Sequence, residues 1–238
     1  AAVATEIIFP VLFDGLKTKS WGGTTFLVHA PCGDWNADLG ITAGWFGLVG
    51  RPEFAAKFPD LKGTADQRAM FYDDGTPLSI PTASDFFKTG GLKVQKWSNK
   101  TSTGGAASAD EHPDTDFPMF RLADAYLMYA ELAAKGVGQK NLAANYVNIL
   151  RNRAKATLIS EADITPDFVL NERSRELYWE GFRRQDLIRN GKFTGNSYNW
   201  EWKGNVQTGV SIDEKYKLFP VPQSELNSNS NLSQNPGY

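Results

Sequence analysis

Cysteine, histidine and long apolar runs are what this sequence has least of. Cys32 is the only cysteine, so no intramolecular disulfide can form. His29 and His112 are the only histidines. Together with Cys32 they are too few and too scattered to supply the three or four ligands of a Cys/His zinc site. A Ser-His-Asp triad would have to use one of these two histidines, and neither sits in a nucleophile context. No stretch approaches the roughly 20 apolar residues needed to cross a bilayer. Charge of one sign is lacking too. The 25 Lys and Arg against 27 Asp and Glu leave a net charge of -2, which speaks against a nucleic-acid binder driven by bulk charge. P-loop, dinucleotide GxGxxG, GxSxG and HExxH signatures are absent.

Aromatic residues are what the chain has in quantity: 7 Trp, 8 Tyr and 15 Phe. Their placement differs between two halves that divide near residue 118. Residues 1–118 carry a net charge of -4, are rich in Gly, Trp and Phe, and show few long periodic segments. Strands are expected near 5–13, 25–29 and 92–97, and short helices near 52–58 and 66–72, separated by long irregular sequence. Residues 100–116 have no apolar anchor and read as an exposed linker or loop. The acids Asp110, Glu111, Asp114 and Asp116 in it could offer oxygens to calcium, but their spacing is not that of an EF-hand, and a solvated acidic loop is the expectation. Cys32 reads as a small buried or half-buried thiol.

Residues 119–238 carry a net charge of +2 and are helical in pattern. Leu122, Tyr126, Tyr129, Ala130 and Ala133 form one apolar stripe over 119–135, and Ala143, Tyr146, Val147, Leu150 and Ala154 form another over 139–156. Gly136-Val137-Gly138 alone separates them, which predicts an antiparallel helical hairpin of tetratricopeptide type. A third helix is expected from Thr165 as N-cap and Pro166 as its first residue, running through Glu180 and resuming after Gly181 to Arg189. Within it, Glu172, Glu176 and Glu180 each have an Arg three or four residues away. Such acids are held ionised, whereas a general acid for glycoside hydrolysis needs a raised pKa. The run therefore reads as a structural charge network, with no catalytic residue assigned.

The stretches around Ser20-Trp21-Gly22, Gly33-Asp34-Trp35-Asn36 and Gly44-Trp45-Phe46 interleave Trp with Gly, Asn and Asp. An indole covers the apolar C–H face of a sugar while Asn and Asp bond its hydroxyls. Trp21, Trp35, Asn36, Trp45 and Phe46 are thus the candidate ligand-binding residues. Trp97, and Trp200 and Trp202 with their strand-like alternation, read as structural.

Three segments then carry a family resemblance. These are Phe120–Glu131 (FRLADAYLMYAE), Leu170–Arg189 (LNERSRELYWEGFRRQDLIR), and the tail with Leu218-Phe219-Pro220-Val221-Pro222 and the closing Asn235-Pro236-Gly237-Tyr238. In this order and spacing they resemble the RagB/SusD family of outer-membrane nutrient-binding lipoproteins. The resemblance implies a mainly α, SusD-like fold: tetratricopeptide-type hairpins, an irregular loop-rich region and a few short strands. It also implies binding of oligo- or polysaccharide at the cell surface and delivery to a SusC-like TonB-dependent transporter. The chain would then be the C-terminal portion of such a protein, with the lipid anchor on the part before it. No cofactor is implied, and no residue-level binding motif transfers from the family. The alternative reading is a helical-repeat scaffold that binds the transporter or a peptide and has no glycan site of its own.

Overall fold

The structure, a computed structural model, describes residues 5–82 and 90–238. Its packing gives two compact units, one ending at Arg183 and the other comprising Arg184–Tyr238. The compositional change near 118 falls inside the first.

The first unit starts with strand β1 (Ile7–Val11) and continues through short helices α1 (Gly23–His29), α2 (Asn36–Leu39) and α3 (Pro52–Ala55). Strands β2 (Phe71–Tyr72), β3 (Lys93–Val94) and β4 (Phe117–Arg121) follow. β1 pairs antiparallel with β4, Ile7 opposite Arg121 and Val11 opposite Phe117, with a register shift between. Pro10 lies opposite Pro118, which fits a two-stranded ribbon where edge positions tolerate a missing N–H. β2 and β3 pair antiparallel through Phe71–Val94 and Tyr72–Lys93.

Helix α4 (Leu122–Ala134) and helix α5 (Lys140–Arg153) form the expected hairpin. Gly136 breaks the helix at φ +88°, a conformation glycine adopts without strain. Ala123, Leu127, Ala130 and Ala133 of α4 and Ala143, Val147 and Leu150 of α5 build the core with Val169 and Leu177. The stripe of α4 is rotated from the expectation: Ala123 and Leu127 are buried, while Leu122 and Tyr126 lie at its margin. Nearly every face of α4 is apolar, so packing rather than periodicity fixes its phase. Tyr126 stacks on Tyr146 across the hairpin at 4.9 Å.

Helix α6 (Pro166–Leu177) begins as predicted, with Thr165 Oγ1 accepting from the Phe168 N–H at 3.3 Å. It stops earlier than expected, because Trp179 and Gly181 take positive φ, +62° and +86°.

Other expectations also change. Residues 25–29 are not a strand but most of α1, whose buried Thr24, Thr25 and Val28 line one side of the helix. Tertiary burial overrides the β-branched run. Residues 66–72 form no helix. Asp66 accepts from the Arg68 N–H and guanidinium, and Phe71–Tyr72 pairs as β2. The 100–116 segment is irregular, with one antiparallel bridge between Lys100 and Ala106, but it is fastened rather than free, as shown below.

The second unit starts within α7 (Arg183–Arg189) and ends beyond α8 (Gln223–Ser228). Arg184 lies over the rings of Phe193 and Phe219, at 5.0 and 4.2 Å. Trp200 and Trp202 are half-buried, as expected of structural residues, but no strand forms there, since Trp202 sits at φ +67°. Among the described residues no helix is long and apolar enough to cross a membrane.

Candidate functional site: an exposed aromatic platform

The platform is built on α1. Phe26 and His29 stand three residues apart on this helix, so both reach the same neighbour. The neighbour is Trp45, whose ring stacks on His29 at 5.0 Å and 22° and meets Phe26 at 6.3 Å and 56°. Trp45 is delivered by a loop laid against the end of α1. The N–H groups of Trp45, Phe46 and Gly47 donate to the carbonyls of His29, Cys32 and Ala30 at 3.0, 3.0 and 2.7 Å. Gly44 is required by this approach, since a Cβ there would lie 2.2 Å from the Cys32 carbonyl oxygen.

Trp21 arrives from the segment before α1. Its ring lies 6.1 Å from that of Trp45, tilted by 53°, and 4.8 Å from that of His112. Trp21, Phe26 and Trp45 are 57%, 43% and 38% exposed, whereas His29 and His112 beneath them are buried. His29 Nδ1 lies 2.6 Å from the Ala43 carbonyl oxygen and Nε2 3.1 Å from that of Glu111. Both imidazoles thus serve as floor, and the three larger rings are presented outward.

The remaining candidates lie elsewhere in the same region. Trp35 is only 7% exposed and stacks on Tyr72 at 4.4 Å, within a core of Val28, Cys32, Leu39, Ile41 and Trp97. Its indole faces are taken by protein. Asn36 is used in the loop, accepting from Cys32 Sγ at 3.3 Å and donating to the Thr42 carbonyl at 3.3 Å. Phe46 adopts φ +53° and its ring closes on Gly33. Asn36 and Phe46 shape the loop that presents Trp45. Phe26 was not among the sequence candidates, while His29 and His112, set aside there as catalytic residues, are buried structural ones. Reading 23–29 as a helix would have exposed the Phe26–His29 spacing.

Cys32 is buried, and burial together with Asp38 and Asp34 pushes its thiol up to about 12. Its burial matches the sequence reading, and a thiol held protonated in this way is a poor nucleophile. Among the described residues no group of three or more His, Cys, Asp or Glu is gathered around a position for a metal ion.

Glu172 and Glu176 of α6, and Glu180 just beyond it, are buried among basic side chains. Glu172 receives Arg68, Arg151 and Arg175 at 2.9, 2.8 and 2.5 Å. Glu176 receives Arg121, Arg153 and Arg68 at 2.7, 2.5 and 3.3 Å. Glu180 takes Lys96 and Arg121. Most of these cations come from distant segments rather than from α6 itself, and Arg173 pairs instead with Asp124 at 2.8 Å. Burial raises the pKa of Glu176, but Arg121 and Arg153 overcome it and hold the carboxyl at about 2. Glu172 is lowered in the same way by Arg68, Arg175 and Arg151 against its burial. These groups have no proton to give near neutral pH, the opposite of a general acid.

A family model described as the SusD family matches residues 42–238. The chain belongs to the SusD family. It is 35% identical to the starch-binding protein SusD of Bacteroides thetaiotaomicron over 98% of its own length and 49% of that protein's. A SusD-like protein, P38, of Formosa agariphila is 37% identical over 52% of the chain and 25% of that protein. Surface glycan-binding protein A from Bacteroides thetaiotaomicron matches in structure with a TM-score of 0.68 at 24% identity, over 99% of this chain and 52% of that one. The same protein in complex with laminarihexaose matches with a TM-score of 0.65 at 23% identity, over 97% of this chain and 52% of that one. These structural likenesses establish the SusD fold. The chain spans about half the length of the relatives it matches. In this SusD-family chain the motifs of residues 120–131 and 170–189 mostly form α4, α6 and the arginine–carboxylate lattice, while Trp21, Phe26 and Trp45 lie outside them.

Proposed function

We propose that this chain binds an oligo- or polysaccharide across Trp21, Phe26 and Trp45, as part of a cell-surface protein of the outer membrane that passes glycan to a SusC-like TonB-dependent transporter. The observation that carries the glycan reading is three exposed rings with Trp45 at the centre, 6.1 Å from Trp21 and 6.3 Å from Phe26. Stacking on sugar C–H faces needs such rings to be outward and held in place. The planes are tilted by 53° and 56°. Coplanar rings would suit a flat, extended chain, while tilted rings follow a chain that curves. The relatives named for starch and solved with laminarihexaose support a curved glucan as the first probe. Binding rather than catalysis is supported by Glu172 and Glu176, whose carboxyls arginine holds below the usual carboxylate range. Transfer to a transporter is supported by the family alone.

The test is affinity electrophoresis of the chain in gels loaded with soluble starch, laminarin or polygalacturonate. Retardation by a neutral glucan is expected. A second reading, a scaffold for another protein, is favoured by the β1–β4 ribbon, which exposes Ile8, Phe9, Met119 and Phe120. No retardation in any gel, with capture of a purified transporter, would select it.

A further inference from the structure

We propose that Asp114 is a positioning residue for the aromatic platform, fastening the segment that bears Trp21 so that its ring stands beside Trp45. The acidic segment that reads as a solvated loop is a clasp. Asp114 Oδ1 accepts from the Gly15 N–H at 2.7 Å and from the Ser108 hydroxyl at 2.6 Å, and Oδ2 accepts from the Ser108 N–H at 2.7 Å. Asp116 Oδ1 accepts from the Phe13 N–H at 2.9 Å. The segment is drawn in so closely that a Cβ on Gly15 would lie 2.1 Å from the His112 carbonyl oxygen.

The base of the clasp is fixed. The Asp114 N–H donates to Asn99 Oδ1 at 3.2 Å, and buried Asn99 donates through Nδ2 to the carbonyls of Ala109 and Gly40 at 2.6 and 3.2 Å. His112, two residues before Asp114, supplies the ring against which Trp21 rests. The backbone of the same segment reaches His29 under Trp45 through the Glu111 carbonyl. The Asp114 carboxylate itself bonds Gly15, on the Trp21 side, and Ser108 in its own segment. Burial works against its ionisation, but the Ser108 hydroxyl and the N–H groups of Ser108 and Gly15 outweigh it and keep the pKa below the usual carboxylate value. The geometry of the clasp stands by itself, and its consequence for affinity rests on the glycan reading above.

The two histidines make the test selective. Each imidazole is covered by one indole, Trp21 over His112 and Trp45 over His29. Two histidine ring-proton resonances therefore report the two tryptophans separately, assigned with Trp21→Ala and Trp45→Ala. In the 238-residue chain, Asp114→Ala should move only the His112 signal, toward its place in Trp21→Ala. Asp114→Asn should recover part of that shift, since its amide oxygen still accepts from the Gly15 N–H. An unmoved His112 signal, or equal movement of both histidines, would overturn the proposal.

In soluble-starch and laminarin gels, Asp114→Ala should weaken binding roughly fivefold to tenfold, the worth of one well-placed ring. Adding Trp21→Ala should then change nothing, while adding Trp45→Ala should cost its full effect. Additive losses for Asp114 and Trp21 would also overturn the proposal. If the wild-type chain is not retarded, or neither tryptophan substitution alters retardation, the glycan reading fails, and the histidine spectrum still decides whether Asp114 holds Trp21.

Discussion

Glu172 and Glu176 lie buried among five arginines, whereas Trp21 and Trp45, in the same unit, turn their rings to solvent. In one region the charges are inside, and in the other the aromatics are outside. Each inversion would be costly without a compensating arrangement. Glu172 and Glu176 persist in the interior because each meets three arginines, and removing a single partner would strand the others. The indoles forgo the gain of full burial while being held rigidly from below by His29 and His112. The first region is organised for one folded structure, whereas the second is the surface proposed to take a glycan. Substitutions in the two regions should therefore separate stability from binding.

The largest effect is expected where a buried charge loses its partner. Glu176→Gln leaves Arg121, Arg153 and Arg68 short of an anion and should lower unfolding free energy by about 3–5 kcal/mol, with the affinity of the folded fraction unchanged. Denaturant unfolding measures it, and a loss below about 1 kcal/mol would show the lattice to be peripheral. Trp35→Ala should be nearly as severe, about 3–5 kcal/mol, because it empties a core position stacked on Tyr72. Weaker glycan binding by fully folded Trp35→Ala protein would place Trp35 in the site after all.

Acid should find the same division. The folded pKa of Glu176, about 2, is below its unfolded value, so its contribution is complete above the unfolded pKa and is lost as pH falls toward 2. The amount is on the order of 3 kcal/mol. A titration of unfolding free energy from pH 6 to pH 2 should show this loss, and Glu176→Gln should flatten part of it. At the small end, Thr165→Ala removes the N-cap of α6 and should cost about 1 kcal/mol, leaving the platform untouched.

What the sequence could reveal differs between these regions for the same reasons. The α4–α5 hairpin and the start of α6 were readable because period, Gly136, Thr165 and Pro166 act within a few residues. The character of the charge network was readable from Glu172 and Glu176, but not its wiring, since Arg68, Arg121 and Arg153 arrive from far along the chain. Of the tryptophans named as candidates, Trp21 and Trp45 expose their rings. Trp35 sits in similar Gly-, Asn- and Asp-rich sequence, and only its stacking on Tyr72 sets it apart. The acidic segment gave no sign that Asp114 and Asp116 bond the N–H groups of Gly15 and Phe13, because backbone donors are invisible in side-chain patterns.

The most direct test is the retardation of the Trp21→Ala/Trp45→Ala double variant in soluble-starch and laminarin gels, beside wild type and with thermal unfolding of both recorded. The account predicts that retardation is abolished while the unfolding temperature falls by only a few degrees. Undiminished retardation by a folded double variant would contradict it and place any glycan site away from these rings.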